Sequence, residues 1–210
     1  QAFDRTLIMW LSDLTLQLAG FRVLTLLFIV GIQGGILATV VVFLGDKGPK
    51  YDDRLTIMPF RHIDFVGAIS LIFFGLGWAK PMAIDSQFFR FSSVGIIVTI
   101  LTGFVGLLVT AILLSKLILP ALTMLPFTVG LATAALLRHA SSLSIWFALF
   151  SLIPIPPLTG GLLVSTIGIR IPKYTQWILT ALVFVAVATG VVHQLLNPAY
   201  LALTSLILDK

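Results

Sequence analysis

Few side chains in this 210-residue sequence could carry out catalysis. Its three histidines are His62, His139 and His193, and none has a second histidine three or four residues away, the spacing of a helical metal-binding pair. Cysteine and glutamate are absent, so all eight acidic residues are aspartates. The chain therefore lacks thiolate ligands, cysteine nucleophiles and a common general base of metal-dependent hydrolysis. A metal site that used all three histidines would have to join three separate elements.

The composition indicates a membrane protein. Hydrophobic residues make up 59% of the chain and charged residues 10%, and the mean hydropathy is +1.12. A soluble domain averages about 45–50% apolar and about 25% charged residues, so one soluble core could not enclose this apolar surface. The net charge of +5 is spread between apolar runs, as is usual for membrane flanks, and no basic run predicts nucleic-acid binding.

Long apolar runs predict the elements that would position these side chains. Residues 1–20 have one apolar helical face, which predicts an amphipathic helix in the membrane interface or against a partner protein. The apolar runs at 21–44, 62–78, 94–119 and 174–196 predict membrane spans, the last of them ending at Asn197-Pro198. The fold class is thus an all-α, polytopic bundle of five or six membrane elements, with residues 21–210 as one transmembrane domain.

The run at 127–153 leaves two readings open, one long helix or two short ones. Arg138 and His139 lie near its middle, and an arginine at the membrane centre costs about 2.5–3.5 kcal/mol on insertion scales. This cost favours a helix break or a water-accessible position there. Intramembrane charge is also a common mark of function, so Arg138 and His139 are candidate contacts for a partner or ligand.

Three motifs are more specific than the apolar sequence of an ordinary membrane helix. The first joins Gly45-Asp46 to DRLTIMPFRHID at 53–64, the second is GWAKP at 77–81, and the third is LIPIPPLTGG at 152–161. In this order and spacing they resemble the site-2 protease family of intramembrane zinc metalloproteases, over roughly residues 20–165. The resemblance implies a first core helix with the motif H-E-x-x-H, whose histidines bind zinc and whose glutamate acts on the bound water. It also implies a third zinc ligand, an aspartate in a later segment like L-x-P-x-P-P-L-D-G-G.

The residues at these family positions are not the expected ones. The two histidines of the motif correspond to Gln33 and Leu37, the glutamate to Gly34, and the aspartate ligand to Thr159. A shift of one or two positions would not restore the motif, because residues 1–61 contain neither histidine nor glutamate. The chain therefore resembles a degenerate member of the family, and zinc is not expected.

Several other residues are candidate contacts with a partner. Trp78 and Lys80 predict an interfacial anchor and a re-entrant turn, in a loop that the resemblance implies to be near the substrate entrance. Pro156 and Pro157 predict an extended, polyproline-like segment that could clamp a partner's strand. Gln33 predicts a hydrogen bond within the bundle or with a ligand. His193 could ligate a haem or chlorin, or simply form a hydrogen bond in its helix.

The leading hypothesis is a catalytically inactive, site-2 protease-like protein. It would be a structural or accessory subunit of a larger membrane complex, such as a photosynthetic or respiratory one. The alternatives are a membrane metalloprotease with a rearranged metal site and a binder of membrane peptides that does not cut them. The expected partners are other integral membrane proteins and lipid. The expected location is a bacterial inner or photosynthetic membrane, crossed several times.

Overall fold

The chain begins with one long apolar helix. The computed structural model describes residues 14–84, 88–89, 92–166 and 171–207. Helix α1, Leu16–Leu44, starts at Thr15, whose side chain accepts a hydrogen bond from Leu18 N at 3.1 Å. Residues 16–20 therefore belong to the first span and not to the predicted interfacial helix. Residues 1–13 of that predicted helix lie outside the described residues.

Helix α1 packs closely against a second long helix, α4, Ser92–Lys116. Leu26 clusters with Leu107 and Val41 with Ile96, so the two helices run antiparallel. At Gly103 a β-carbon would lie only 2.9 Å from the Leu37 side chain. The absence of a side chain at Gly103 therefore lets α1 approach α4 closely, as small residues commonly do in membrane bundles.

Between these two helices the chain turns back on itself, in a stretch that we call the re-entrant segment (residues 45–84). The chain leaves α1 through Gly45 and a short helix, α2, Gly48–Tyr51, and passes a 3₁₀ turn, Pro59–Arg61, into α3, Phe65–Phe74. Asp64 caps α3 by accepting from Gly67 N at 2.8 Å, and Gly75, with a φ of 78°, ends it. Ten residues rise about 15 Å, too little to cross a bilayer. The predicted span at 62–78 is therefore wrong.

After α3 the chain turns back beside the segment that precedes it. Lys80 N donates to the His62 carbonyl at 2.7 Å, and Ile63 and Ala79 form an antiparallel bridge. The indole of Trp78 is 2% exposed and contacts the ring of Phe150. The predicted role of Trp78 as an interfacial anchor is therefore wrong, because its ring belongs to a protein core.

A buried arginine of α1 fixes the end of α3. Arg22 donates through Nη1 to the carbonyl oxygens of Ile72 at 2.7 Å and Phe73 at 2.9 Å. The last carbonyls of a helix have no partner within the helix, and a cation there also compensates the negative end of its dipole. Arg22 thus ties the re-entrant segment to the first span.

We expect Arg22→Gln to lower the free energy of unfolding by about 2 kcal/mol, because two charge-assisted hydrogen bonds are lost. The matched control is Arg61→Gln, which removes an exposed ion pair with Asp53 (3.6 Å) and should cost less than about 1 kcal/mol. Unfolding in detergent micelles, followed by tryptophan fluorescence, measures both. Equal losses in the two variants would contradict the capping role.

The third apolar run and the one after it form a helical hairpin. Helix α4 ends at Lys116, α5 is Ile118–Met124, and α6 is Phe127–Ser151. Helices α4 and α5 adjoin at Leu117 and together make one apolar helix, Val94–Met124, while Pro120 lies in the first turn of α5, where its missing N–H is not needed. Helix α6 is continuous, so of the two alternatives for the run at 127–153 the structure has the single long helix and not the break near Arg138. Arg138 is exposed on the side of this helix and does not need a break to avoid burial.

The C-terminal part is a bent pair of helices. A short helix, α7, Leu162–Thr166, precedes α8, Lys173–Ala188, and α9, Val191–Ile207. Helices α8 and α9 meet at 69°, and Gly190 provides the positive φ of 76° at the bend. The predicted break at Asn197-Pro198 is wrong, because both residues lie inside α9.

Among the described residues, two helices are long and apolar enough to cross a membrane, Leu16–Leu44 and Val94–Met124, and the bent pair would make a third. The chain is thus helical and suited to a membrane, while the predicted five or six spans are not confirmed.

Candidate functional site

The positions that correspond to the family's catalytic residues converge in the fold. Gly34 and Leu37 lie one turn apart in the middle of α1, and Thr159 lies in a 3₁₀ turn, Thr159–Gly161, that follows α6. All three line a cavity of about 30 Å³, together with His62 and Lys80. Such a cavity has room for about two water molecules and no room for a peptide. Gln33 is fully buried in α1 beside Gly34, but it is not among the residues that line the cavity.

The imidazole of His62 covers the backbone of Gly34. A β-carbon on Gly34 would lie 2.6 Å from His62 Cδ2 and closer still to Cγ and Nδ1. His62 is fully buried, and its Nε2 is 2.8 Å from the Thr56 carbonyl oxygen, which can only accept a hydrogen bond, so Nε2–H is the donor. The imidazole therefore occupies the space into which a side chain at position 34 would project. His62 precedes α3, and its side chain is enclosed between α1 and the segment around Thr56.

The pKa of His62 is lowered by burial and, to a smaller extent, by the charge of Arg54, while the hydrogen bond to Thr56 raises it. Between this lowered value and about 6.5, the unfolded chain binds more protons at this residue than the folded chain does. The stability linked to His62 is thus fully present above about pH 6.5 and is lost as the pH falls through the folded-state pKa.

We expect the melting temperature of the wild-type protein to fall between pH 7.5 and pH 5, and that of His62→Gln to fall less. The glutamine cannot take up a proton, so it removes the contribution of this residue to the pH dependence. Thermal unfolding in detergent at both pH values measures the fall in melting temperature of each protein. An equal fall in both proteins would show that the burial of His62 does not cause the loss of stability at acid pH.

A buried arginine holds the segment that follows α3, which we call the return segment (residues 76–84), against this cavity. Arg54 donates through Nη1 to Pro81 O and through Nη2 to Lys80 O, both at 2.8 Å. Its guanidinium is nearly inaccessible, so these bonds are the main compensation for its burial. Sequence reasoning did not single out Arg54, although it lies inside the first motif. The exposed side chain of Lys80 lines the cavity, as part of the segment that Arg54 fixes.

The proline-rich segment is a series of turns. Ile155 N donates to Ile153 O at 2.8 Å, and Leu158 N donates to Ile155 O at 2.9 Å. Gly161 makes this possible, because a β-carbon there would lie 2.6 Å from the nitrogen of Pro156. The predicted extended, polyproline-like conformation at 153–158 is therefore wrong.

A larger groove opens on the other side of this segment. It measures about 850 Å³, and Pro157, Leu158, Pro81 and Leu162 line both the groove and the small cavity. Its remaining walls come mainly from α3, the segment around α7 and the first two turns of α8: Asp64, Phe65, Val66, Pro156, Gly161, Val164, Ile171, Lys173, Gln176, Trp177 and Thr180. This surface is wide enough for an extended chain, whereas the small cavity is not.

The sequence is similar to a curated protein. It is 28% identical over 170 residues to the putative zinc metalloprotease YwhC of Bacillus subtilis (strain 168), and the match covers 77% of this chain and 76% of the Bacillus protein. This similarity supports the resemblance of the chain to the site-2 protease family. No protein-family model matches the chain, and no solved structure does.

The side chains of this site-2 protease-like chain do not fit a zinc ion at the family position. Leu37 packs in an apolar cluster with Ala38 and Ile100, and Gly34 has no side chain. The buried amide of Gln33 has no hydrogen-bond partner at either polar atom, so the hydrogen bond predicted for it is not formed within the described chain. Catalytic zinc needs three protein ligands and an open position. No step of hydrolysis can therefore be derived through a metal at this place.

The other predicted site residues lie elsewhere. The ring of His139 is 6.3 Å from that of Phe21, the ring of His193 is 5.1 Å from that of Trp146, and Arg138 lines a separate cavity. The three histidines thus have different packing partners. Within residues 14–84, 88–89, 92–166 and 171–207, no group of three or more His, Cys, Asp or Glu side chains could hold a metal.

Proposed function

We propose that this site-2 protease-like membrane protein acts without hydrolysis, as an accessory subunit that packs against other integral membrane proteins. The observation that carries the proposal is the contact of His62 with Gly34. The family's catalytic glutamate would stand at position 34, yet the imidazole fills the volume of even a β-carbon there. A side chain could be restored at position 34 only if His62 moved, and its hydrogen bonds with Thr56 and Lys80 oppose that movement.

The helical hairpin offers a surface for such packing. Around the turn between α5 and α6, Leu119, Met124 and Phe127 are 68%, 82% and 80% exposed. Large apolar residues grouped in this way mark contacts with protein or lipid. We propose a complex of a bacterial inner membrane, photosynthetic or respiratory, as the host.

A second candidate function rests on the groove beside the proline-rich segment. Its volume of about 850 Å³ and its apolar walls suit an extended segment of a membrane peptide, which the chain would bind and not cut. The similarity to a putative zinc metalloprotease of Bacillus subtilis supports a protease-type ancestry for the chain. In this reading the groove is retained while the chemistry beside it is absent.

Native purification separates the two candidates. The full chain is extracted into nanodiscs from its own membrane, and its associated proteins are identified and counted by mass spectrometry. An accessory subunit should carry one partner at a fixed ratio, whereas a binder should carry a mixture of peptides. Recovery of the chain alone from membranes extracted under several mild conditions would contradict both.

A matched pair of variants locates the contact. Thr180→Trp would fill the groove from α8, while Ile178→Trp adds the same bulk to an exposed position on the same helix that does not line the groove. The binder hypothesis predicts that Thr180→Trp alone loses the peptides. The accessory-subunit proposal predicts that both variants keep the partner.

A further inference from the structure

A second large cavity lies at the end of α4, away from the protease-like site. It measures about 680 Å³ and is bounded by the end of α4, by α5, α6 and α9. Two cationic residues, Lys116 and Arg138, line it. The opposite walls are apolar and consist of Ile118, Leu119, Leu122 and Ile207. The cavity thus combines a positive region with a hydrocarbon surface.

The positive charge has no compensation in the described part of the chain. Neither Lys116 nor Arg138 has an ion pair or a side-chain hydrogen bond to any described residue. The described aspartates, at 46, 52, 53 and 64, all belong to the segment between α1 and α3. Both side chains are exposed, and no described carboxylate lies beside them in the cavity, so an anion is the expected complement of the two charges.

The hydroxyl groups in the cavity are mostly committed to the helices. Ser141 donates to Ala111 O, Ser115 to Ile112 O and Thr204 to Tyr200 O, each at 2.8 Å. Ser142 and Tyr200 share one hydrogen bond of 2.8 Å, which leaves one O–H of the pair free to donate. The cavity therefore offers two cations and one hydroxyl donor to an acceptor-rich group.

We infer that this cavity binds an anionic phospholipid, with the phosphate between Lys116 and Arg138 and an acyl chain on the apolar wall. A phosphate group supplies several acceptors for these donors, and basic pockets between transmembrane helices are typical sites for acidic headgroups. The apolar wall distinguishes this ligand from a free anion, which would gain nothing from Leu119 and Leu122. Tyr200, which lines the cavity, stacks on the ring of Trp146 with a centroid distance of 4.4 Å.

The test is lipid retention by the purified full chain. The protein in detergent is incubated with dioleoyl phosphatidylglycerol or dioleoyl phosphatidylcholine, and the retained lipid is counted by native mass spectrometry. We expect retention of phosphatidylglycerol only. Neutralising one cation, by Lys116→Gln or Arg138→Gln, should weaken retention about fivefold, and the double variant should weaken it about 25-fold.

The controls separate this site from general charge and from misfolding. Lys47→Gln with Lys50→Gln removes two exposed cations elsewhere and should leave retention unchanged. Lys116→Arg with Arg138→Lys keeps both charges and should also retain the lipid, even if the neutral double variant does not fold. Equal retention of both lipids, an equal loss in the control pair, or displacement of the lipid by millimolar inorganic phosphate would overturn the inference. So would unchanged retention in the folded Arg138→Gln variant.

Discussion

Gly34→Ala should lower the free energy of unfolding by about 1–3 kcal/mol, although it adds a single methyl group to a helix. Alanine normally stabilises a helix relative to glycine by about 1 kcal/mol. Here the new β-carbon would collide with the buried imidazole of His62, so the ring and its bond to Thr56 must shift. The control is Gly20→Ala in the same helix, where no atom lies within 4 Å, and that variant should be neutral or more stable.

A double-mutant cycle shows whether His62 is the cause. His62→Ala removes the ring, so Gly34→Ala in that background should cost much less than in the wild type, and the two changes should couple by at least about 1 kcal/mol. Unfolding of the four proteins in detergent micelles measures the coupling. Additive effects would show that the imidazole is not what excludes a side chain at position 34. For the same reason Gly34→Glu should destabilise the chain and should not confer hydrolysis.

Gly77→Ala should destabilise the re-entrant segment by about 3 kcal/mol or more. A β-carbon at this position would lie 2.7 Å from Leu71 Cβ and closer still to the carbonyl oxygen of Gly67. These neighbours belong to α3, whose helical geometry leaves little room to retreat, so the return segment would have to move away. That movement would disturb the buried Trp78 and the position of Lys80 beside the cavity.

The matched change for Gly77→Ala is Ala83→Gly, which alters one methyl group at an exposed position in the same segment. It should change the free energy of unfolding by less than about 1 kcal/mol. The wavelength and intensity of tryptophan emission provide a second readout, because Trp78 would gain exposure only in Gly77→Ala. Similar stabilities for the two variants would contradict the close packing of α3 against the return segment.

The sequence predicted the class of the fold and the family resemblance because both depend on local signals. A run such as 21–44 is apolar over its whole length, and the three motifs keep their spacing. Helix ends were predicted less well. Asn197-Pro198 was expected to end the last span, yet both residues lie inside α9, while Gly190 lies at the actual bend between α8 and α9. Packing between helices decided these positions, and a single sequence does not display it.

The sequence indicated which positions correspond to the family's catalytic residues, but it did not indicate that His62 packs over one of them. Gln33, Gly34, Leu37 and Thr159 were identified from the motifs, and the fold brings three of the four to one cavity. That His62 would fill the space over Gly34 could not be predicted, because the two residues are 28 positions apart and nothing local specifies their contact. The burial of Trp78 was missed for the same reason, since an indole beside a lysine is also typical of a membrane interface.

The zinc content of the purified full chain tests the central claim most directly. The protein is purified without chelators, exchanged into zinc-containing buffer, washed and measured by elemental analysis, and its cleavage of a transmembrane reporter is assayed in the same nanodiscs. We predict far less than one zinc ion per chain and no cleavage. One zinc ion per chain, with metal and cleavage both lost in His62→Ala, His139→Ala or His193→Ala, would contradict the account and establish a rearranged metalloprotease.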